Sequence, residues 1–129
     1  VADCIFCKIA NGEIPSYKIY EDKDYLAFLD VSPSSKGQAL VIPKKHDGYI
    51  FDLNDKEYSD LFIKGKKIAK AIDNALNPIR TCIVVEGFMV DHVHIRLHPC
   101  YERHLDFEKI PQPSKEEFEV IVDKIKRFL

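Results

Sequence analysis

Residues 91–99, Asp-His-Val-His-Ile-Arg-Leu-His-Pro, alternate polar and apolar side chains with the period of a β-strand. Read as a strand, they put His92, His94, Arg96 and His98 on one face and Val93, Ile95 and Leu97 on the other. The apolar face can anchor the strand to a core. The other face sets imidazoles beside a guanidinium, a row that is costly to bury without partners. It reads as a site for an anion, a metal, or both. Any fold for this chain must bury one side of this segment and give the other side something to bind.

The rest of the sequence supplies a frame for such a strand. Residues 17–20 and 25–29 read as two strands about a polar turn, a hairpin. Residues 39–42 form a short apolar run stopped by Pro43, and residues 80–85 read as a further strand that turns at Glu86-Gly87 toward the histidine segment. Asn54 with Glu57 three residues on is a helix-start signature, followed by Tyr58, Leu61, Gly65, Ile68 and Ile72 at helical spacing. Asn77-Pro78 ends that helix. Ser114 with Glu117 opens another, whose apolar stripe reads Phe118, Ile121, Val122, Ile125 and Phe128. Residues 5–10 suit a short helix near the N-terminus. The expected architecture is α+β: an antiparallel sheet of about five strands with a long central helix and an additional C-terminal helix. The 129 residues are expected to form a single domain.

Composition narrows the function. Nineteen Lys and Arg against 21 Asp and Glu give a net charge of −2, which offers no basic field for nucleic acid. The apolar runs are too short to span a bilayer. No basic-then-apolar leader opens the sequence, so the expected location is cytoplasmic. Of the four cysteines, Cys4, Cys7, Cys82 and Cys100, reduced thiols or a metal are expected rather than disulfides.

Three segments in order carry a resemblance. The first is Cys4-Ile5-Phe6-Cys7-Lys8-Ile9, followed by Gly12-Glu13-Ile14-Pro15. The second runs from Ala27-Phe28-Leu29-Asp30-Val31-Ser32-Pro33 through Gly37-Gln38-Ala39-Leu40-Val41-Ile42-Pro43-Lys44-Lys45-His46. The third is the histidine segment. Together they resemble the histidine triad (HIT) family, in the branch related to Hint and Fhit proteins. The resemblance covers about residues 3–101; residues 102–129, a loop and the last helix, lie outside it.

The resemblance implies a nucleotide-binding hydrolase or transferase. Family members act at the α-phosphorus of nucleoside phosphates or phosphoramidates through a covalent nucleotidyl-histidine on the middle histidine of the pattern, here His94. Asp30 matches the acceptor for ribose hydroxyls, though an ordinary turn aspartate would look the same. Ile5, Phe6, Ile9, Phe28, Leu29, Val31 and Leu40 match positions around the base, and each could equally be core. Cys4, Cys7, His46 and His92 match a zinc set seen in some members; two thiolates and two imidazoles suit a structural tetrahedral ion. A redox pair or two small hydrophobes are the competing readings of Cys4 and Cys7. The family usually forms homodimers through its long helix and an edge strand. The implied ligand is a purine nucleotide or nucleoside phosphoramidate.

The chain also departs from the family pattern. The third histidine is Arg96, which can grip phosphate but cannot exchange a proton. The histidine that commonly precedes the Leu-Val-Ile-Pro strand is Gln38, counted here among the nucleotide contacts. The polar residue before the triad that usually meets phosphate is Phe88. These changes leave open a second reading, a nucleotide-binding module with little or no catalysis.

Overall fold

The computed structural model describes residues 3–129; Val1 and Ala2 of the expected domain lie outside the described residues. Five strands, β1 (Lys18–Glu21), β2 (Tyr25–Leu29), β3 (Ala39–Pro43), β4 (Arg80–Val84) and β5 (Ile95–Cys100), form one sheet in the order β1-β2-β3-β5-β4. Every neighbouring pair is antiparallel. Three α-helices complete the frame: α1 (Ile5–Ala10), α2 (Asp55–Leu76) and α3 (Lys115–Lys126). A single 3-10 turn at Ile50–Asp52, absent from the sequence reading, leads into α2.

Local signals set the helix limits. Asn54 and Ser114 each accept from the backbone N–H three residues on, and Glu57 and Glu117 close both capping boxes. Asn77 takes the left-handed conformation that stops α2, at φ 52°. The last helix ends at Lys126, one residue before its cap, so Phe128 falls outside the expected stripe and is 53% exposed. Tyr58 also departs from its stripe: it sits half out of the core and stacks between Phe51 and Phe62.

The sheet is covered on both faces, which is why β2 is buried at all five positions. Ala27, Leu29, Val41, Ile95 and Leu97 face α2 and α3 in the main core. Leu26, Phe28, Leu40 and Ile42 face the other way and pack against Phe6 and Ile9 of α1. Alternation along each strand thus divides the core in two.

The histidine segment is shorter as a strand than its pattern suggests. The β3 pairing ends at Val41 opposite Ile95, and Pro43 has no N–H to extend a ladder. The Val93 amide instead donates to the Asp47 carbonyl at 2.7 Å. Residues 92–94 therefore keep the alternation, with Val93 buried in the main core, but outside the sheet.

A polar tie joins the β1–β2 hairpin to α2. Lys64 Nζ lies 2.8 Å from Asp22 Oδ2, the Tyr20 hydroxyl donates to the same oxygen at 2.8 Å, and the amides of Asp24 and Tyr25 donate to Oδ1 at 2.8 Å each. Burial works against the Asp22 carboxylate, yet these donors hold it well below the usual carboxylate range. A folded-state pKa below the unfolded value stabilises at pH above the unfolded value, about 4, and that stability is lost as acid protonates the group. Acid titration of the fold, followed by circular dichroism, is expected to show this loss below about pH 4, and Asp22→Asn is expected to flatten it.

Candidate functional site

The cavity that gathers most of the residues singled out above lies on the α1 face of the sheet and measures 440 Å³. One wall is apolar. Ile5, Phe6 and Ile9 of α1 face Phe28 and Leu40 of the sheet across it. Ile5 and Val31 are about half exposed, at 45% and 50%, although each is apolar. That combination marks them as rim residues and not core. Leu29 borders the cavity while its side chain belongs to the main core behind the sheet.

Asp30 stands at the end of β2, where the chain turns into residues 31–34. Its Oδ1 accepts from the Ser32 amide at 2.9 Å, and its Oδ2 accepts from the Gln38 side-chain amide at 2.8 Å. The turn contact is present, and each oxygen has one protein donor and keeps further acceptor capacity. Gln38 does not line the cavity, against expectation. It is 2% exposed, and its carbonyl oxygen accepts from the Ser34 amide at 2.9 Å while its NH₂ holds Asp30. It holds the Asp30 carboxylate in place from behind the cavity wall.

At the other end, His94 and Arg96 enter from β5 and the segment before it. The His94 Nδ1–H donates to the His92 carbonyl at 2.7 Å, which leaves Nε2 with the lone pair. The ring is 6% exposed and meets the Phe6 ring edge to face at 5.1 Å. Arg96 donates from Nη2 to Glu86 Oε1 at 3.4 Å, and its buried Nε finds no partner among the described residues. The fork is thus only partly engaged.

The imidazole row does not converge on one site. His92 turns to the N-terminal cysteines. His98 lies beneath the C-terminal loop, edge to face with Phe107 at 5.8 Å, away from the cavity of His94. Burial and then the Arg96 charge push the His98 imidazole below its ordinary range.

Cys4, Cys7, His46 and His92 form a compact cluster, with one donor atom from each lying within 4.8 Å of the others. The separations are 3.3 Å for Cys4 Sγ to His92 Nδ1, 3.3 Å for Cys7 Sγ to His46 Nδ1, 3.5 Å for Cys7 Sγ to His92 Nδ1 and 3.2 Å between the two Nδ1 atoms. Zinc–donor bonds of about 2.0–2.3 Å give tetrahedral edges of about 3.3–3.8 Å, so the donor set fits that ion. The His92 Nε2–H donates to the Pro43 carbonyl at 2.8 Å, which turns the Nδ1 lone pair into the cluster. Burial pushes the His92 imidazole down and the Cys7 thiol up, the latter aided by the Cys4 hydrogen bond. The remaining thiols, Cys82 and Cys100, are free and lie 3.8 Å apart on neighbouring strands.

The sequence reading missed Glu86 and Lys109, which also border the cavity. Glu86 was readable in principle: it lies two residues past Val84, the register partner of Arg96, and so falls on the same face. Lys109 had no local signal. It arrives because the C-terminal loop folds back, with Lys109 Nζ donating to the Ser32 carbonyl at 2.6 Å and the Ile110 amide to the Pro33 carbonyl at 3.1 Å.

Comparison with known proteins finds relatives in sequence and in fold. The HIT domain model matches residues 11–102. An uncharacterized HIT-like protein of Methanocaldococcus jannaschii is 38% identical over 128 residues, covering 95% of this chain and 98% of that protein. The adenosine 5'-monophosphoramidase hnt1 of Schizosaccharomyces pombe is 43% identical over 97 residues, covering 74% of this chain and 73% of its own length. A zinc-bound histidine triad family protein of Mycobacterium smegmatis superposes with a TM-score of 0.82 at 27% identity, covering 98% of this chain and 95% of that one.

The Gln38 contacts generate a stability prediction. Gln38→Ala leaves the Ser34 amide without its partner and Asp30 one donor short, and is expected to cost about 1–3 kcal/mol in urea unfolding.

Proposed function

The chain belongs to the HIT domain family, and from that premise we propose that it is a nucleotide hydrolase or transferase acting at the α-phosphorus of purine nucleoside phosphates or phosphoramidates. The observation that carries this reading is the fixed tautomer of His94. Its Nδ1–H is spent on the His92 carbonyl, so Nε2 is the nucleophile offered to the cavity.

The ribose sits against Asp30, whose free lone pairs accept from vicinal hydroxyls. The base lies in the apolar slot between α1 and the sheet, which has few polar groups and so discriminates weakly among bases. Arg96 draws the α-phosphate toward His94 with its planar fork. Nε2 attacks phosphorus in line; the bond to the leaving group breaks, an amine leaving group departs with a proton taken from water, and a nucleotidyl-His94 forms. Water then attacks phosphorus, the P–N bond breaks, and the nucleoside monophosphate leaves. Positioning and charge stabilisation supply most of the catalysis.

Cys4, Cys7, His46 and His92 are proposed to hold a structural zinc ion, supported by their separations and by the zinc-bound relative. When bound, the ion would staple the N-terminal segment to the residue two positions before His94. The working form is proposed to be a homodimer. Strand β4 is a sheet edge and exposes Ile83, with Ile79 exposed just before it, which supports this arrangement. A site that needs two thiolates suits a reducing compartment, the cytoplasm. No helix among the described residues is long and apolar enough to cross a membrane.

Arg96 in place of a proton-exchanging histidine keeps the binding-module reading in play, and one assay separates the two. AMP release from adenosine 5'-phosphoramidate is expected from the wild type and is expected to fall by about 10³-fold or more in His94→Ala. Binding of AMP with no turnover by the wild type would establish the module instead. For the metal, elemental analysis is expected to find one zinc per chain. Chelation is expected to lower the melting temperature of the wild type but not of Cys7→Ser, which would already have lost the ion.

A further inference from the structure

The two-step reaction needs a group to take a proton from the attacking water, and Arg96 cannot do so. His94 is also excluded at that stage, because in the covalent intermediate its Nε2 is bonded to phosphorus and its Nδ1–H is given to the His92 carbonyl. Lys109 donates to the Ser32 carbonyl and offers no base as an ammonium. Two carboxylates border the cavity among the described residues, Asp30 and Glu86. Asp30 stands at the ribose end, held by Ser32 and Gln38.

Glu86 is differently placed. It borders the nucleotide cavity and also a smaller aromatic cavity, and His94 lines both, so the carboxylate and the nucleophile share two cavities. Its Oε2 accepts from the Phe88 amide at 2.8 Å, which fixes the carboxylate on the turn before the histidine segment. Its Oε1 lies 3.4 Å from Arg96 Nη2. A lone carboxylate beside a phosphate would repel it; the adjoining guanidinium makes the pair neutral overall.

We infer that Glu86 is the general base of the hydrolytic step, a role that rests on the nucleotidyl-His94 reading above. Water is oriented by the Glu86 carboxylate. As its oxygen bonds to phosphorus, its proton passes to Glu86. The P–Nε2 bond breaks, its electron pair returns to His94, and the monophosphate departs. Glu86 then gives the proton to solvent. Arg96 and Glu86 together divide what one proton-exchanging residue would otherwise do: the cation holds phosphate and the anion moves the proton.

The test is rapid-quench kinetics with adenosine 5'-phosphoramidate on wild type, Glu86→Gln, Glu86→Ala and His94→Ala. Glu86→Gln is expected to consume one equivalent of substrate quickly and to accumulate adenylylated His94, mapped by mass spectrometry. Its AMP release is expected to slow by about 10²-fold or more. Formate is expected to restore release in Glu86→Ala. AMP release by Glu86→Gln within about threefold of wild type would overturn the assignment. So would slow release with no adenylylated chain and no rescue by formate. Turnover that survives His94→Ala, or is missing from the wild type, would instead overturn the nucleotidyl-His94 reading and this inference with it.

Discussion

The two-sided packing of β5 governs the rest of the structure. Ile95 and Leu97 are fully buried against α2, and each such side chain contributes about 1.5–3 kcal/mol by leaving water. Gly65 is what lets α2 lie flush there, since a Cβ at that position would collide with the Ile95 side chain. Because strand neighbours alternate, fixing Ile95 and Leu97 also fixes Arg96 on the opposite face, where the α1 cavity opens. Buried Val93 does the same for His94 just outside the sheet. The sheet side of the site is therefore anchored in the core, and a shift of His94 would require repacking the main hydrophobic cluster.

The second wall of the cavity is weaker on its own. A helix of six residues such as α1 is too short to be stable alone. It is held by Phe6 and Ile9 against the sheet and by the cysteine–histidine cluster at its start. Phe6 joins these supports, since its ring contacts those of Phe28, His92 and His94. The apolar slot and His94 thus share a wall. Anything that loosens the cluster would move the slot relative to His94.

Much of this was legible in the sequence, for physical reasons specific to each element. Both capping boxes announced their helices, because side chains three residues apart can satisfy the orphan amides of a first turn. The alternation at residues 93–97 announced which side chains share the core, even though only Ile95 onward joins the sheet. Residues placed by contacts distant in sequence were illegible. Gln38 looked like a ligand contact because the chain cannot reveal that its amide is spent on Asp30 and Ser34. His98 looked like part of one row because alternation fixes a face but not how far along it a cavity extends. Lys109 reaches the site through bonds to residues some 75 positions earlier, for which no local pattern exists.

Arg96 has an energetic side as well as a chemical one. Its Nε is buried with no partner among the described residues, and an unpaired buried donor costs about 1–3 kcal/mol, more when charged. Its Nη2 contact with Glu86 is long at 3.4 Å, so that pair is only loosely satisfied. The buried Nε is a cost the fold carries, while the loosely paired Nη2 end of the fork keeps donors for an acidic partner. A histidine can also find its partner in solvent or turn its proton away. Arginine, permanently charged and fixed by β5, ties the chain more firmly to an anionic ligand while giving up proton exchange. In the hydrolysis proposed above, that trade leaves the proton of the attacking water to a separate ionisable group.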